Sequence, residues 1–234
     1  MAEHSPTPPE PGPIPATGSS AIGCAEEFAA DERLLRAGTL AVRVSVLDQR
    51  AVSYGVGVRT DAAYLRRAEA DGTPTVRRTT GGTGVLHLAG DLAWSVVLPR
   101  GHPTVGRDFV RAYGRIGSGV VRWLERHGVE SSWRPAPGLN PDYCVLSDRG
   151  EVLVARGRIL GGAAQQLTSR ALLHQGMVAR SVDRERVARL FDVEPPSVLD
   201  RLGGLDDLGV SIPSVDAARE LAAELARDLR YASE

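Results

Sequence analysis

Residues 40–58 read LAVRVSVLDQRAVSYGVGV, with Val42, Val44 and Val46 on one side and Arg43 and Ser45 on the other. A period of two marks a half-buried strand, and Asp48-Gln49-Arg50 divides the run into a strand, a turn and a second strand. Residues 84–99, GVLHLAGDLAWSVVLP, repeat that design around Ala89-Gly90-Asp91, with Leu92, Trp94, Val96 and Leu98 sharing a face. From Phe109 the period lengthens. Tyr113, Ile116, Val120 and Leu124 follow at steps of three and four, which predicts an amphipathic helix. Residues 25–36 and 214–230 also predict helices, 183–191 a shorter one, and EVLVARGRIL and ALLHQGMV two more strands. Residues 128–142 carry three prolines and predict a loop. Strands that cluster early and are interrupted by long helices point to an α+β fold on a mainly antiparallel sheet.

Residues 1–20 are rich in Pro, Ser and Gly and poor in large apolar groups, so a disordered tail is expected there. The rest, 21–234, is expected to form one domain, with a small helical extension after residue 193 as the only further division. At 42% apolar residues the chain can bury a normal core. Its formal charge of −1 gives no electrostatic footprint for nucleic acid or an anionic membrane. No apolar run approaches the ~20 residues of a membrane span, and the start lacks the basic and apolar blocks of a signal peptide. With only two cysteines, Cys24 and Cys144, a disulfide scaffold is not expected and a cytoplasmic setting is. The Cys and His residues have no metal-ligand spacing, and His102 and His127 read as surface residues. The chain holds no lysine: all 28 basic residues are arginine, a bias that a GC-rich genome accounts for.

The strongest chemical signal is residues 77–87, RRTTGGTGVLH. Gly81, Gly82 and Gly84 remove side chains, so backbone N–H groups there can approach a ligand closely. Arg77 and Arg78 supply forked donors suited to phosphate or carboxylate. The glycine spacing fits neither a dinucleotide fingerprint nor a Walker loop. A glycine-rich hairpin with two solvated arginines is the plainer alternative.

The longer segment RRTTGGTGVLHLAGDLAWSVVLP resembles the Arg-Arg, Ser/Thr-Gly-Gly-Gly, His, Gly-Asn/Asp-Leu segment of lipoate–protein ligases and lipoyl-type octanoyltransferases. Downstream, GRILGGAAQQ is similar to that family's Gly-Arg-Lys-Ile-x-Gly-x-Ala-Gln, and LLHQGMV to its Leu-Gln-His-Gly strand with His and Gln exchanged. EEFAADERLLRAGTLAVRVSVLDQRAVSYG resembles its first helix and hairpin. The resemblance runs from residue 25 to 191 in the family's order. It implies a mixed sheet carrying helices, shared with biotin ligases, and the transfer of a lipoyl or octanoyl group to a lysine of a lipoyl-carrier domain. Glycine cleavage H protein and dehydrogenase acyltransferase subunits are such carriers. The donor is octanoyl-acyl carrier protein if the chain is a transferase, or free lipoate with ATP and Mg if it is a ligase. The implied substrate-binding positions are Arg77, Arg78, Thr80, Gly81, Gly82, Thr83, Gly84, His87, Arg158, Gly162, Ala164 and His174.

Two departures matter most. The family's loop lysine is matched by Ile159, which cannot donate a hydrogen bond, and no lysine elsewhere in the chain can replace it. Cys144, fifteen residues earlier, matches the nucleophile of cysteine-dependent octanoyltransferases, and a thiolate relaying an acyl group is sound covalent catalysis. Its alternative is a buried small hydrophobe. Among smaller departures, Thr83 replaces the third glycine, while Asp91-Leu92 keeps the Asn/Asp-Leu pair. Besides the acyltransferase or ligase, Ile159 motivates a pseudoenzyme that binds an acyl chain or lipoyl domain without turnover; a biotin-ligase relative fits the later motifs less well.

Overall fold

The computed structural model describes residues 15–105, 109–212, 214–227 and 229. Among the described residues ten strands and five helices follow one another as β1 (Ala16–Ile22), α1 (Cys24–Ala37), β2 (Ala41–Leu47), β3 (Ala51–Tyr54), α2 (Ala63–Ala70), β4 (Thr75–Arg77), β5 (Gly84–His87) and β6 (Leu92–Pro99), then α3 (Phe109–Arg126), β7 (Ser131–Pro135), β8 (Glu151–Ala155), β9 (Arg158–Leu167), β10 (Ala171–Val178), α4 (Arg184–Phe191) and α5 (Ser214–Arg227). The main sheet has seven strands in the order β1-β2-β6-β10-β9-β8-β7, and a small sheet has three, β4-β3-β5. Only β1–β2 and β3–β4 pair in parallel, so the fold is α+β with a mixed, mainly antiparallel sheet. One core gathers Val42, Val44, Trp94, Val96 and Leu98 of the sheet with Ile116, Val120 and Trp123 of α3 and Leu221 and Leu225 of α5. The other face takes α1, where Leu35 meets Val97, Ala171 and Leu173. Alternation along β10 therefore sends Leu172 and Leu173 to opposite layers.

The expected hairpin β2–β3 does not form, and neither does β5–β6. Instead β2 pairs with β6 in the large sheet and β3 with β5 in the small one, so two long strands bend together from one sheet into the other. At the corner Leu47 N–H donates to Asp91 O, and Gly90 N–H to Leu47 O. The buried Asp91 carboxylate accepts Leu88 N–H and Arg180 N–H, both at 2.8 Å, and closes the bend. Burial pushes Asp91 up to about 7. Its place in the Asp-Leu pair is thus architectural.

Three expectations are corrected in local structure. The tail expected over 1–20 reaches outside the described residues up to 14, but Ala16–Ile22 is a strand at the sheet edge. Gly18 suits that edge, because a Cβ there would lie 2.6 Å from the Arg219 backbone N of α5. The loop expected over 128–142 contains β7, which packs beneath α3 through Trp133 Nε1–H donating to Gly117 O at 2.9 Å. The region after 193 is no separate extension, because Ala217, Leu221 and Leu225 of α5 belong to the principal core.

Candidate active site

A cavity opens where the small sheet, the start of α1 and strands β9–β10 meet, and Cys144 stands on its wall. Cys144 begins a single 3₁₀ turn, Cys144–Leu146, and is half-buried. The preceding Asn-Pro-Asp-Tyr shapes its approach. Asn140 Oδ1 accepts Asp142 N–H and Tyr143 N–H, each at 2.9 Å, while Asn140 Nδ2 donates to Phe191 O at 3.1 Å. An Asn side chain bonding its own chain two and three residues on holds a turn in place, and the bond to α4 ties that turn to the body of the fold. The glycine loop is joined to the same turn by Gly84 N–H donating to Asp142 O at 2.9 Å.

Arg78 lies beneath the glycine loop, 6% exposed. Its Nη2 donates to Gly81 O at 2.8 Å and Thr83 O at 3.0 Å, and its Nη1 to Ser53 Oγ at 3.1 Å. Gly82 sits between this guanidinium and Cys144. A Cβ there would lie 2.7 Å from Arg78 Nη2 and 2.9 Å from Cys144 Sγ, and its φ of 91° lies in the region that favours glycine. The loop therefore delivers a buried cation to the cysteine sulfur. Burial lowers the Arg78 pKa and the neighbouring Cys144 and Tyr64 raise it, yet an arginine keeps its charge in either case. Cys24 makes the contrast. It is buried at the first position of α1, and burial and nearby carboxylates push its thiol up to about 12.

His87 faces the same cavity, with Nε2 2.8 Å from Ser53 Oγ and Phe28 edge-on at 5.9 Å. Burial, then Arg78, lowers its pKa to about 3, so its ring is neutral. Thr80 is fully buried on another wall. Its hydroxyl donates to Gln175 Oε1 at 2.7 Å, and Gln175 Nε2 donates to Asp31 Oδ2 at 3.0 Å. Ser95 Oγ and Arg43 Nη1 donate to the other Asp31 oxygen, and Arg43 Nη2 to Glu27 Oε2 at 2.6 Å. Burial and then Glu27 push Asp31 up to about 7. The apolar side of the cavity is made by Trp94, Ala163, Ala164 and the side-chain-free Gly162 and Gly176.

Of the positions expected in the site, the fold brings Arg78, Thr80, His87, Cys144, Gly162 and Ala164 to one cavity, with Gly81, Gly82, Thr83 and Gly84 forming the loop against it. Four others lie elsewhere. Arg77 points to the surface at the end of β4 and donates to Val56 O at 2.6 Å, because strand alternation separates it from Arg78. Arg158 reaches back to Asp200 O and Leu202 O and braces the C-terminal segment. His174 occupies the opposite face of β10, stacked on Trp94 at 4.9 Å and against Tyr113 at 4.7 Å, with Gln165 Nε2 2.7 Å from its Nδ1; its neighbour Gln175 is the one facing the cavity. Ile159 lies in a second, smaller hollow that shares Val145 and Met177 with the cavity. There Ile159 is packed with Leu86, Tyr143, Val187 and Leu202, and Gly203 N–H donates to Ile159 O at 3.0 Å. Ser53, Asn140 and the Asp31–Arg43–Glu27 chain behind Gln175 were not legible from residue types. Asn-Pro-Asp was the one local signal of a turn at Asn140. Among the described residues no group of three or more His, Cys, Asp or Glu could hold a metal ion, and no helix is long and apolar enough to cross a membrane.

Residues 24–226 match the lipoyl protein ligase A/B catalytic domain family. The octanoyltransferase LipM of Macrococcus caseolyticus is 29% identical over 148 residues, 59% of this chain and 53% of that protein. Its namesake in Exiguobacterium sp. is 32% identical over 154 residues, 62% of this chain and 55% of that protein. The chain thus spans about half the length of the curated relatives it matches. Among solved structures, lipoate-protein ligase A bound with ATP superposes with a TM-score of 0.68 at 23% identity, covering 94% of each chain. A bi-partite lipoate protein ligase of Thermoplasma acidophilum gives 0.66 at 21% identity, covering 92% of this chain and 84% of that one. At such identities the likeness is one of fold.

Proposed function

This chain belongs to the lipoyl protein ligase A/B catalytic domain family, and on that premise we propose that it moves an octanoyl group from a carrier thioester to a lysine of a lipoyl-carrier domain, with Cys144 holding the group in between. The observation that carries this reading is the juxtaposition of Cys144 Sγ and the buried Arg78 guanidinium across Gly82, at the wall of a cavity with an apolar side. In the first half-reaction Sγ bonds to the thioester carbon, the carbonyl electrons move onto oxygen, and the bond to the carrier sulfur breaks as oxygen re-forms its double bond. The cysteine proton leaves with the carrier thiol. In the second, the acceptor lysine amine attacks the Cys144 thioester, an amide forms and the thiol is regenerated. Arg78 supplies fixed positive charge where sulfur and oxygen carry negative charge. The donor class is acyl carrier protein bearing octanoate, and the acceptor class is glycine cleavage H protein or a dehydrogenase acyltransferase subunit.

Related ligases bind ATP. The hollow around Ile159 does not fit a triphosphate: among the described residues no arginine, histidine or lysine lines it, and its lining is apolar side chains with the acidic Asp91 and Asp183. No step is therefore drawn through a nucleotide or Mg. Ile159 also favours a second reading, in which the cavity binds an acyl chain or lipoyl domain without turnover. One experiment decides between them. Incubation with octanoyl-acyl carrier protein is expected to add one octanoyl mass to the chain, released by hydroxylamine as a thioester is; with no lysine in the chain, no side-chain amide competes. Addition of a lipoyl domain should move that mass to the domain. If the domain gains neither octanoate from that donor nor a lipoyl group from lipoate with ATP, the binding-only reading stands; gain of lipoyl from lipoate and ATP alone would make the chain a ligase.

A further inference from the structure

We propose that Ser53 is a positioning residue that sets the tautomer of His87, so that His87 Nδ1–H faces the cavity as a neutral donor for the carbonyl oxygen of the bound acyl thioester. This rests on the acyl-capture reading above. Ser53 is 1% exposed on β3, and His87 is on β5. In the register Ala51↔His87 and Ser53↔Val85, the two are diagonal neighbours across an antiparallel pair.

The hydrogen bonds favour one arrangement, because a donating His87 Nε2–H would make Ser53 Oγ accept twice and leave its own proton with no acceptor among the described hydrogen bonds. Arg78 has donors only, so at 3.1 Å the Ser53 oxygen must accept from Nη1. The single hydroxyl proton is then free for His87 Nε2, 2.8 Å away. A neutral imidazole has one N–H and one bare nitrogen. Since Nε2 accepts, the proton resides on Nδ1. The ring is neutral because burial and Arg78 oppose its protonation. His87 Nδ1 is buried, and among the described residues it has no hydrogen-bond partner. A buried donor left unmade costs free energy, and an acceptor on a ligand removes that cost. Ser53, Arg78, His87 and Cys144 all line the one cavity, where the acyl head must lie to meet the sulfur.

In the acylation step His87 neither gains nor loses a proton. Nδ1–H donates to the thioester oxygen as that oxygen takes up the carbonyl electrons, and relaxes when the double bond re-forms. A fixed donor aimed at developing charge is the arrangement that lowers such barriers. Ser53 touches no reacting atom and acts through the imidazole.

The test joins a spectrum to a rate. In protein labelled with ¹⁵N-histidine, long-range ¹H–¹⁵N correlation should show His87 of the ligand-free wild type as the Nδ1–H tautomer, unchanged from pH 5 to 9. Ser53→Ala should lose that single tautomer and slow octanoyl capture at Cys144 by about tenfold to a hundredfold, the scale of losing an outer hydrogen bond to a functional imidazole. Ser53→Thr keeps the hydroxyl and should restore both readouts, which separates the role from a mere packing defect. Nε2–H in the wild type, or wild-type capture by Ser53→Ala, overturns the inference alone. A wild type with the expected tautomer and no adduct overturns instead the acyl-capture reading, and with it the role given to Nδ1–H.

Discussion

Two hollows lie side by side beneath the Cys144 turn, sharing Val145 and Met177, and they have opposite characters. One is ringed by Arg78, Ser53, His87, Thr80, Gln175 and the cysteine, with nearly every polar group bonded to another. The other is closed by Ile159, Leu86, Leu202 and Val187, with Asp91 bonded wholly to backbone N–H groups. The difference teaches that Ile159, the residue matched by resemblance to the family's lysine, lies in core, while the buried Arg78 cation stands beside Cys144 in the neighbouring hollow. The comparison predicts that substitutions in the first hollow cost activity and those in the second cost stability.

The largest effect falls on Cys144. Cys144→Ala should abolish the hydroxylamine-sensitive adduct while leaving the melting temperature near wild type, as intact mass and calorimetry would show; an adduct surviving on the variant would dissolve the distinction. Next comes Arg78. Arg78→Ala removes the charge beside Sγ and should slow acylation by roughly 10²–10³, as losing a preorganised stabiliser of developing charge does. Arg78→Lys should recover little, because an ammonium cannot span Ser53 Oγ, Gly81 O and Thr83 O as the fork does. Single-turnover capture from octanoyl-acyl carrier protein measures both.

In the second hollow the balance reverses. Ile159 is 7% exposed, and Ile159→Ala deletes buried methyl groups from a packed cluster, so denaturant melts should show a loss of about 2–5 kcal/mol. Acylation by the protein that remains folded should stay close to wild type. A large loss of rate with unchanged stability would mean that Ile159 touches the reacting groups.

What was legible beforehand divides along similar lines. The alternation over Val42, Val44 and Val46 and the period through Ile116 and Val120 announced their elements, because burial on one face writes itself into local spacing. The Arg78–glycine–Cys144 grouping was reachable only through the family's motif order, since 66 residues part Arg78 from Cys144. The Gln175–Asp31 bond joins residues 144 apart, and the tie from Asn140 to Phe191 joins residues 51 apart; neither residue type announces a partner. Strand β1 was hidden for another reason. Ala and Gly have weak strand preference, and the pairing comes from β2 and from the close approach of α5 at Gly18. Arg77 and His174 were misplaced because a one-residue step along a strand changes the face.

The smallest effect tests whether the polar wall of the first hollow carries a cost of its own. Asp31 and Asp91 are both held near 7 when folded, against about 3.9 for an unfolded aspartate. With folded values raised, the folded chain binds protons that the unfolded chain has released. The stability they contribute is full below the unfolded value and is lost as pH rises through 7. Between pH 6 and 8 one such group gives up about 1.4 kcal/mol, so the melting temperature should fall by a few degrees over that interval. Asp31→Asn should remove its share of that slope. The substitution replaces an acceptor with an amide, so Gln175 must turn its carbonyl toward residue 31 and its N–H groups toward Thr80, whose hydroxyl then accepts. If the slope persists in Asp31→Asn and vanishes in Asp91→Asn, the proton belongs to the sheet corner, and the polar wall beside Cys144 holds its charge without a pH-dependent cost.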